Sequence, residues 1–342
     1  VSTYVFRRFV QGIPTFFGIT ILSFLLMLAA PGDPVSMIMF VPNTTPEAVA
    51  TMRRQLGLDQ PPLTQYVYWL VGNDWAQVDS DGDGVGDSYG VRYGLLRGDL
   101  GQSLKHKRPV GDLIAERIPA TLLLTTTSLV VGYGLGALLG VLSAVYHRGW
   151  FDQLTRILSV VGTAIPAFWL GLILIIIFSV TLGWLPMGGM NSISSRSDSL
   201  DLLDSLKHLI MPVSVLALGI VASVARFTRA EMLETLHQDY IRTAQAKGLT
   251  NRRVWWRHAV RNALMPVATF LGPELGGLLS GAVIIEQVFG WPGMGRLVVN
   301  AVFQRDYPLV MGSVVIGAVL FIVGVLLSDL LYAWLDPRIR LG

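Results

Sequence analysis

The chain alternates long uncharged apolar stretches with polar connectors. Phe9 to Ala30 carries no charge, and neither does Pro119 to Tyr146 or Ile157 to Ser195. Leu209 to Ala225 is shorter and is expected to run on past Arg226. Asn262 to Ile285 is interrupted only by Glu274, and Tyr307 to Ser328 is uncharged up to Asp329. A helix needs about 20 apolar residues to cross the hydrocarbon core. A bilayer leaves no water to satisfy backbone N–H and C=O groups, so such stretches are helical. The pattern therefore predicts an all-α membrane protein with six transmembrane helices. The third stretch is long enough for one span plus an exit through Trp184 and Pro186. The segment after Val1 is too long for a signal-peptide core and lacks a small-residue cleavage site, so it reads as a retained first span. The organisation expected is an N-terminal end with the first helix (1–30), an external region (31–118), a core carrying helices two to six (119–336) and a tail (337–342).

Composition agrees with this pattern. Of 342 residues, 52% are hydrophobic and 14% charged, where soluble domains carry about a quarter charged. Mean hydropathy is +0.55. Cysteine is absent, which excludes disulfides, thiolate metal sites and cysteine nucleophiles. The net charge of +3 matters less than its distribution. Arg7 and Arg8 precede the first span, His147 and Arg148 join the second and third, and Arg338 and Arg340 follow the last. The 226–261 connector has eight Lys/Arg against three acids, whereas 31–118 has eight against eleven. By the positive-inside rule the basic connectors and both termini face the cytoplasm.

Small residues crowd several spans: Gly132, Gly134, Gly136 and Gly140, then Gly272, Gly276, Gly277 and Gly281. They let helix backbones approach closely, either within the chain or on a face that slides against a partner. No phosphate loop, H-E-x-x-H or G-x-S-x-G motif occurs, and the five histidines are scattered. ATP must therefore bind elsewhere, and no catalytic group stands out. The basic connector abuts a membrane and lacks a reading module, so nucleic acid is not expected as a partner.

The connector between the fourth and fifth spans, within 226–264, is the most informative stretch. Asp239 to Lys247 predicts a short helix that Gly248 ends by taking positive φ. Thr250 or Asn251 is placed to cap a second, basic helix carrying Val254, Trp255, Trp256 and His258. YIRTAQAKGL (240–249) followed by RNALMP (261–266) resembles the "EAA" loop of ABC importer permeases. AAPGDPV (29–35), LGLDQPPLTQYVYWL (56–70), GDLGQSL (98–104), PELGGLLSGAVIIEQVFGWPGMGRL (273–297) and LLYAWLDPRIR (330–340) are similar to the first, B-type, permease of the dipeptide/oligopeptide/nickel branch. The likeness covers nearly the whole chain except roughly 73–92.

The resemblance implies a type I ABC importer permease fold whose short helix couples to an ATPase subunit through Asp239, Tyr240, Arg242, Thr243, Ala244, Lys247 and Gly248. Thr243, Ala244 and Gly248 match motif positions. Arg242 replaces the general motif's glutamate, as peptide-type permeases commonly do. The implied partners are a homologous second permease, two ATPase chains that carry ATP and Mg²⁺, a solute-binding protein outside, and membrane lipid. The implied cargo is a di- or oligopeptide; nickel chelates, glutathione and some sugars use the same branch. A stand-alone channel or secondary transporter would need no coupling helix. An intramembrane enzyme would need facing catalytic residues, which the spans do not show.

Two further sets of residues stand out. Asp79, Asp81 and Asp83 fall at positions 1, 3 and 5 of a calcium loop, with Gly84 at the turn, the Val85 carbonyl at position 7 and Asp87 at position 9. Position 12 is Gly90 rather than glutamate, so the loop resembles truncated extracellular Ca²⁺ repeats. The alternative is a solvated acidic loop. Within the spans, Glu274 and Glu286 are costly to bury and mark a translocation pathway or permease interface, or else a structural pair. Asp329 reads as an interface residue.

Overall fold

The computed structural model describes residues 2–29, 45–79, 85–192, 202–269, 271, 274 and 282–335. In chain order the elements are α1 (Ser2–Ala29), α2 (Pro46–Gln55), α3 (Pro62–Val71), the strands β1 (Gln77–Val78) and β2 (Ser88–Tyr89), α4 (Val110–Val145), α5 (Trp150–Ala164) and α6 (Ala167–Leu174), which continues as a π-helical stretch, Ile175–Thr181. Then come α7 (Leu202–Leu236), α8 (Asp239–Ala246), α9 (Asn251–Arg253), a second π-helical stretch (Val254–Ala259), α10 (Val260–Thr269), α11 (Val283–Val288), α12 (Met294–Phe303) and α13 (Tyr307–Leu335).

Among the described residues, four helices are long and apolar enough to cross a bilayer: Phe6–Ala29, Val110–Val145, Leu202–Leu236 and Tyr307–Leu327. They coincide with expected spans one, two, four and six, but two run well beyond the uncharged stretches. α4 begins at Val110 and continues through Pro119; α7 extends past Arg226 to Leu236. Charge ends a hydropathy window but does not end a helix, because a helix leaving the bilayer keeps its own hydrogen bonds. The third expected span is corrected. It begins earlier, at Trp150, and is a bent pair, α5 and the helix from Ala167 to Thr181, that meet at 101°. Pro166 biases the preceding residue away from helix, and Ile165 takes φ −79°, ψ 126°. The expected fifth span enters as α10; from Thr269 to Ala282 only residues 271 and 274 are described. Gly272, Gly276, Gly277 and Gly281 lie outside the described residues.

The chain divides into two compact units. The first comprises Val1–Phe6, Arg117–Arg296 and Leu320–Gly342. Here α7 is the central post, receiving α5, α6, α10 and α11. α4 meets α7 through glycines one turn apart. A Cβ at Gly132 would lie 2.6 Å from Ile220, at Gly136 2.7 Å from Val224, and at Gly140 2.6 Å from Thr228. These glycines serve packing within the chain, while Gly134 faces open space. Met211, Val215, Ile285 and Phe289 form one buried cluster, and Ala120, Leu124, Leu209, Val213 and Trp291 another.

The second unit comprises Arg7–Glu116 and Leu297–Val319. α3 lies against α1, where Phe24 meets Tyr66 and Trp69 with ring centroids 5.4 and 6.4 Å apart, and the Thr20 and Tyr66 hydroxyls are 3.0 Å apart. Asn73 is fully buried; it donates to the Gln55 carbonyl and accepts from the Arg92 N–H, each at 2.9 Å. Asp306, also buried, accepts from the Ser103 hydroxyl and from the N–H groups of Leu104 (3.1 Å) and Lys105 (3.3 Å). One carboxylate thus fixes the 103–105 turn at the start of α13.

Candidate functional site

The connector after α7 folds back on the chain as a short helix with one anchored face. α8 buries Ile241 (0% exposed) and Ala244 (7%) in a cluster with Val141, Ala144, Met232, Val254, Ala259 and Ala263. Residues three apart share a helix face, so this pair pins α8 while Asp239, Tyr240, Arg242 and Thr243 stay exposed. Full burial of an aliphatic side chain stabilises by about 1.5–3 kcal/mol, enough to hold a two-turn helix that would not persist alone. Gly248 ends the turn at φ +76°, in the left-handed region. Thr250 occupies the cap position before α9, but its side chain makes no capping hydrogen bond.

The residues expected to couple therefore divide. Asp239, Arg242, Thr243, Lys247 and Gly248 are exposed. Arg242 lies 3.6 Å from Asp239, an exposed pair that contributes little to stability and leaves both groups available. Tyr240 is exposed but tethered, its hydroxyl accepting from Asn262 Nδ2 at 2.8 Å. Ala244 is a correction: at 7% exposure it belongs to the buried cluster and positions the helix.

Beside this helix lies a network that the sequence did not reveal. Asp152, 1% exposed, takes two hydrogen bonds from Arg229 (Nε 2.6 Å, Nη2 2.9 Å), one from the Ser143 hydroxyl (2.6 Å) and one from the Arg148 N–H (3.0 Å). Arg229 also donates to His147 Nδ1 at 3.2 Å. A bidentate arginine–carboxylate pair is among the stronger polar contacts. It ties α4, the turn at Arg148 (φ +63°), α5 and α7 together. A basic residue in a positive-inside flank gives no hint of such a role; only a buried aspartate in the first turn of α5 could have done so.

The acids singled out within spans have separate fates. Glu286 is a correction: it is fully buried inside the chain rather than on a pathway or permease-facing surface. Its Oε1 accepts from Thr121 (3.0 Å) and its Oε2 from the Arg296 N–H (2.9 Å). Thr121 Oγ1 accepts in turn from the Met294 N–H at 2.7 Å, and Trp291 Nε1 donates to the Ala120 carbonyl at 2.8 Å. The acid is retained because donors from two distant segments converge on it. Glu274 is exposed. The Asp329 side chain lies outside the described residues.

Of the acidic loop, Asp81 and Asp83 lie outside the described residues. Asp79, Val85 and Asp87 flank them. β1 and β2 pair antiparallel, Gln77 with Tyr89 and Val78 with Ser88, and the Asp87 N–H bonds the Val78 carbonyl at 3.2 Å. Among the described residues no three His, Asp or Glu side chains converge as a metal site.

Comparisons with known proteins follow the same lines. The family described as "Binding-protein-dependent transport system inner membrane component" matches residues 136–341, and its N-terminal counterpart matches residues 1–125. The chain is similar to the oligopeptide transport system permease protein AppB of Bacillus subtilis (strain 168), 42% identical and covering 99% of this chain and 100% of that protein. It is also similar to the glutathione transport system permease protein GsiC of Escherichia coli (strain K12), 38% identical over 98% of each. Among solved structures it shares the fold of a chain from the inward-facing MetNI methionine ABC transporter. The TM-score is 0.53 at 17% identity, over 66% of this chain and 96% of that one.

Proposed function

Because this chain belongs to the family of binding-protein-dependent transport system inner membrane components, we propose that it forms half of the translocation pathway of an ATP-driven importer for di- or oligopeptides. It is a multi-pass membrane permease, and its class works with an ATPase and a solute-binding protein. The finer reading is one homologous second permease, two ATPase chains carrying ATP and Mg²⁺, both termini in the cytoplasm, and no bond-breaking by this chain itself. The observation that carries it is α8, whose apolar face is fixed by Ile241 and Ala244 while its polar face stays free. A rigidly anchored helix transmits displacement from a docked partner into α4 and α7, which share its cluster. Similarity to a glutathione permease favours a short peptide as a second form of the same cargo. Glu274, which is exposed, is proposed to line the pathway or the permease interface.

The test is affinity purification of the chain from its host in mild detergent, with co-purifying chains identified by mass. The expected result is a second permease and one or two ABC ATPases, with ATP hydrolysis stimulated by peptide and binding protein. A chain that purifies alone and moves solute in liposomes without ATP overturns the proposal in favour of a channel or secondary transporter.

We further propose that the 79–87 loop holds a structural Ca²⁺ through Asp79, Asp81, Asp83, the Val85 carbonyl and Asp87. The ligand spacing supports this, and so does the β1–β2 ladder that closes the loop at its base. Limited proteolysis is expected to slow in calcium; equal cleavage in calcium and in chelator removes the site.

A further inference from the structure

The helical segment that follows α8 carries an exposed basic cleft. Thr250, Arg252, Arg253, Trp256 and Arg257 line an open surface groove of about 640 Å³. The opposite face of the same segment is anchored, with Val254 and Ala259 fully buried. Arg252, Arg253, Trp256 and Arg257 are exposed. None of the three arginines makes an ion pair or side-chain hydrogen bond among the described residues.

Backbone geometry explains why they share one cleft. In an α-helix, residues five apart point about 140° away from each other. The π-helical stretch Val254–Ala259 widens the turn, bonding i to i+5, and so draws Arg252 towards the face of Arg257. Such wide turns strain a helix and recur at functional sites.

Position identifies the ligand class. Asn262 opens the apolar stretch of the fifth span, and Arg257 precedes it by less than about 8 Å of helix. The hydropathy pattern that opens the fifth span at Asn262 thus puts Arg257 and Trp256 at the expected headgroup depth, where tryptophan is enriched, with Arg252 and Arg253 reaching in from the cytoplasmic side. Arginine forks match phosphate oxygens bidentately, and basic pockets at the ends of transmembrane helices attract anionic headgroups. We propose that this cleft binds the phosphate of an anionic phospholipid, with the Trp256 indole lying along the glycerol and upper acyl chain. A soluble phosphate offers the same chemistry without the apolar portion, and an acidic protein surface offers charge without lipid; both are outcomes that the test separates. The proposal is independent of ATPase coupling, because its readout is lipid on this chain.

The full-length protein, with whatever chains it retains, is exchanged into nanodiscs of phosphatidylglycerol and phosphatidylcholine, re-extracted and weighed by native mass spectrometry. Wild type is expected to keep phosphatidylglycerol in preference to phosphatidylcholine. The combined Arg252→Gln, Arg253→Gln, Arg257→Gln variant is expected to keep roughly tenfold less or lower still. The corresponding triple lysine variant recovers part of the binding, and millimolar inorganic phosphate leaves the adduct in place. Equal retention by wild type and glutamine variant overturns the proposal. So does displacement by inorganic phosphate, which identifies a soluble-anion site, or unchanged lipid with loss of a co-purifying chain, which identifies a protein contact. Should the glutamine variant fail to fold, brominated phosphatidylglycerol is tested on wild type against Trp256→Phe. Quenching specific to Trp256 and absent with brominated phosphatidylcholine supports the site; no such difference overturns it.

Discussion

At the scale of single residues, two buried acids hold the first unit. Both carboxylate oxygens of Glu286 accept hydrogen bonds, so Glu286→Gln sets an NH₂ group against either Thr121 or the Arg296 N–H. An unsatisfied buried donor costs about 1–3 kcal/mol. The variant is therefore expected to unfold at lower temperature in detergent, while an exposed control, Glu274→Gln, melts like wild type. Asp152 depends on Arg229 in the same way. Arg229→Met leaves a buried carboxylate unpaired, for which about 3–5 kcal/mol is typical. Adding Asp152→Asn to that variant should recover part of the loss, and a double-mutant cycle on thermal unfolding measures the coupling. Neither arrangement was legible in the sequence. Thr121 lies 165 positions from Glu286, and Arg229 lies 77 from Asp152, whereas local patterns report only neighbours along the chain. Glu286 could be flagged as an acid beside a span, but its donors, the Thr121 hydroxyl and the Arg296 N–H, carry no sequence signature.

At the scale of elements, the uncharged stretches located the spans well, because hydropathy is additive over a local window. They did not give the full helices. The charged turns Asp112 to Arg117 and Arg226 to Glu234 remain helical outside the apolar core, and the 101° break at Pro166 is set by backbone geometry rather than by apolar content. α8 was legible to within a residue because its glycine stop and its apolar spacing agree. The glycine face of α4 had two open readings, and its geometry favours the intramolecular one. A side chain at Gly140 meets Thr228 Cβ and the Ala225 carbonyl at 2.6 and 2.7 Å. Gly140→Leu should lower stability by about 1–3 kcal/mol through overpacking. Gly134→Leu, facing open space, should not, and parallel detergent melting curves of the two variants decide it.

At the scale of the whole molecule, the absence of cysteine turns orientation into a direct measurement. Single cysteines at His106 and at Gln245 should react differently with a membrane-impermeant maleimide. His106→Cys is expected to label in intact cells and Gln245→Cys only after lysis; the opposite pattern inverts the topology. The contacts that join Thr121 to Glu286 and Ala120 to Trp291 also have a consequence for biogenesis. The ribosome adds about 5–20 residues per second, so roughly ten to thirty seconds of synthesis separate the two sides of each bond. For that interval α4 sits in the membrane with a threonine and a carbonyl awaiting their partners. A stalled or truncated chain would keep them open and offer the insertion machinery and membrane proteases a mark of incompleteness.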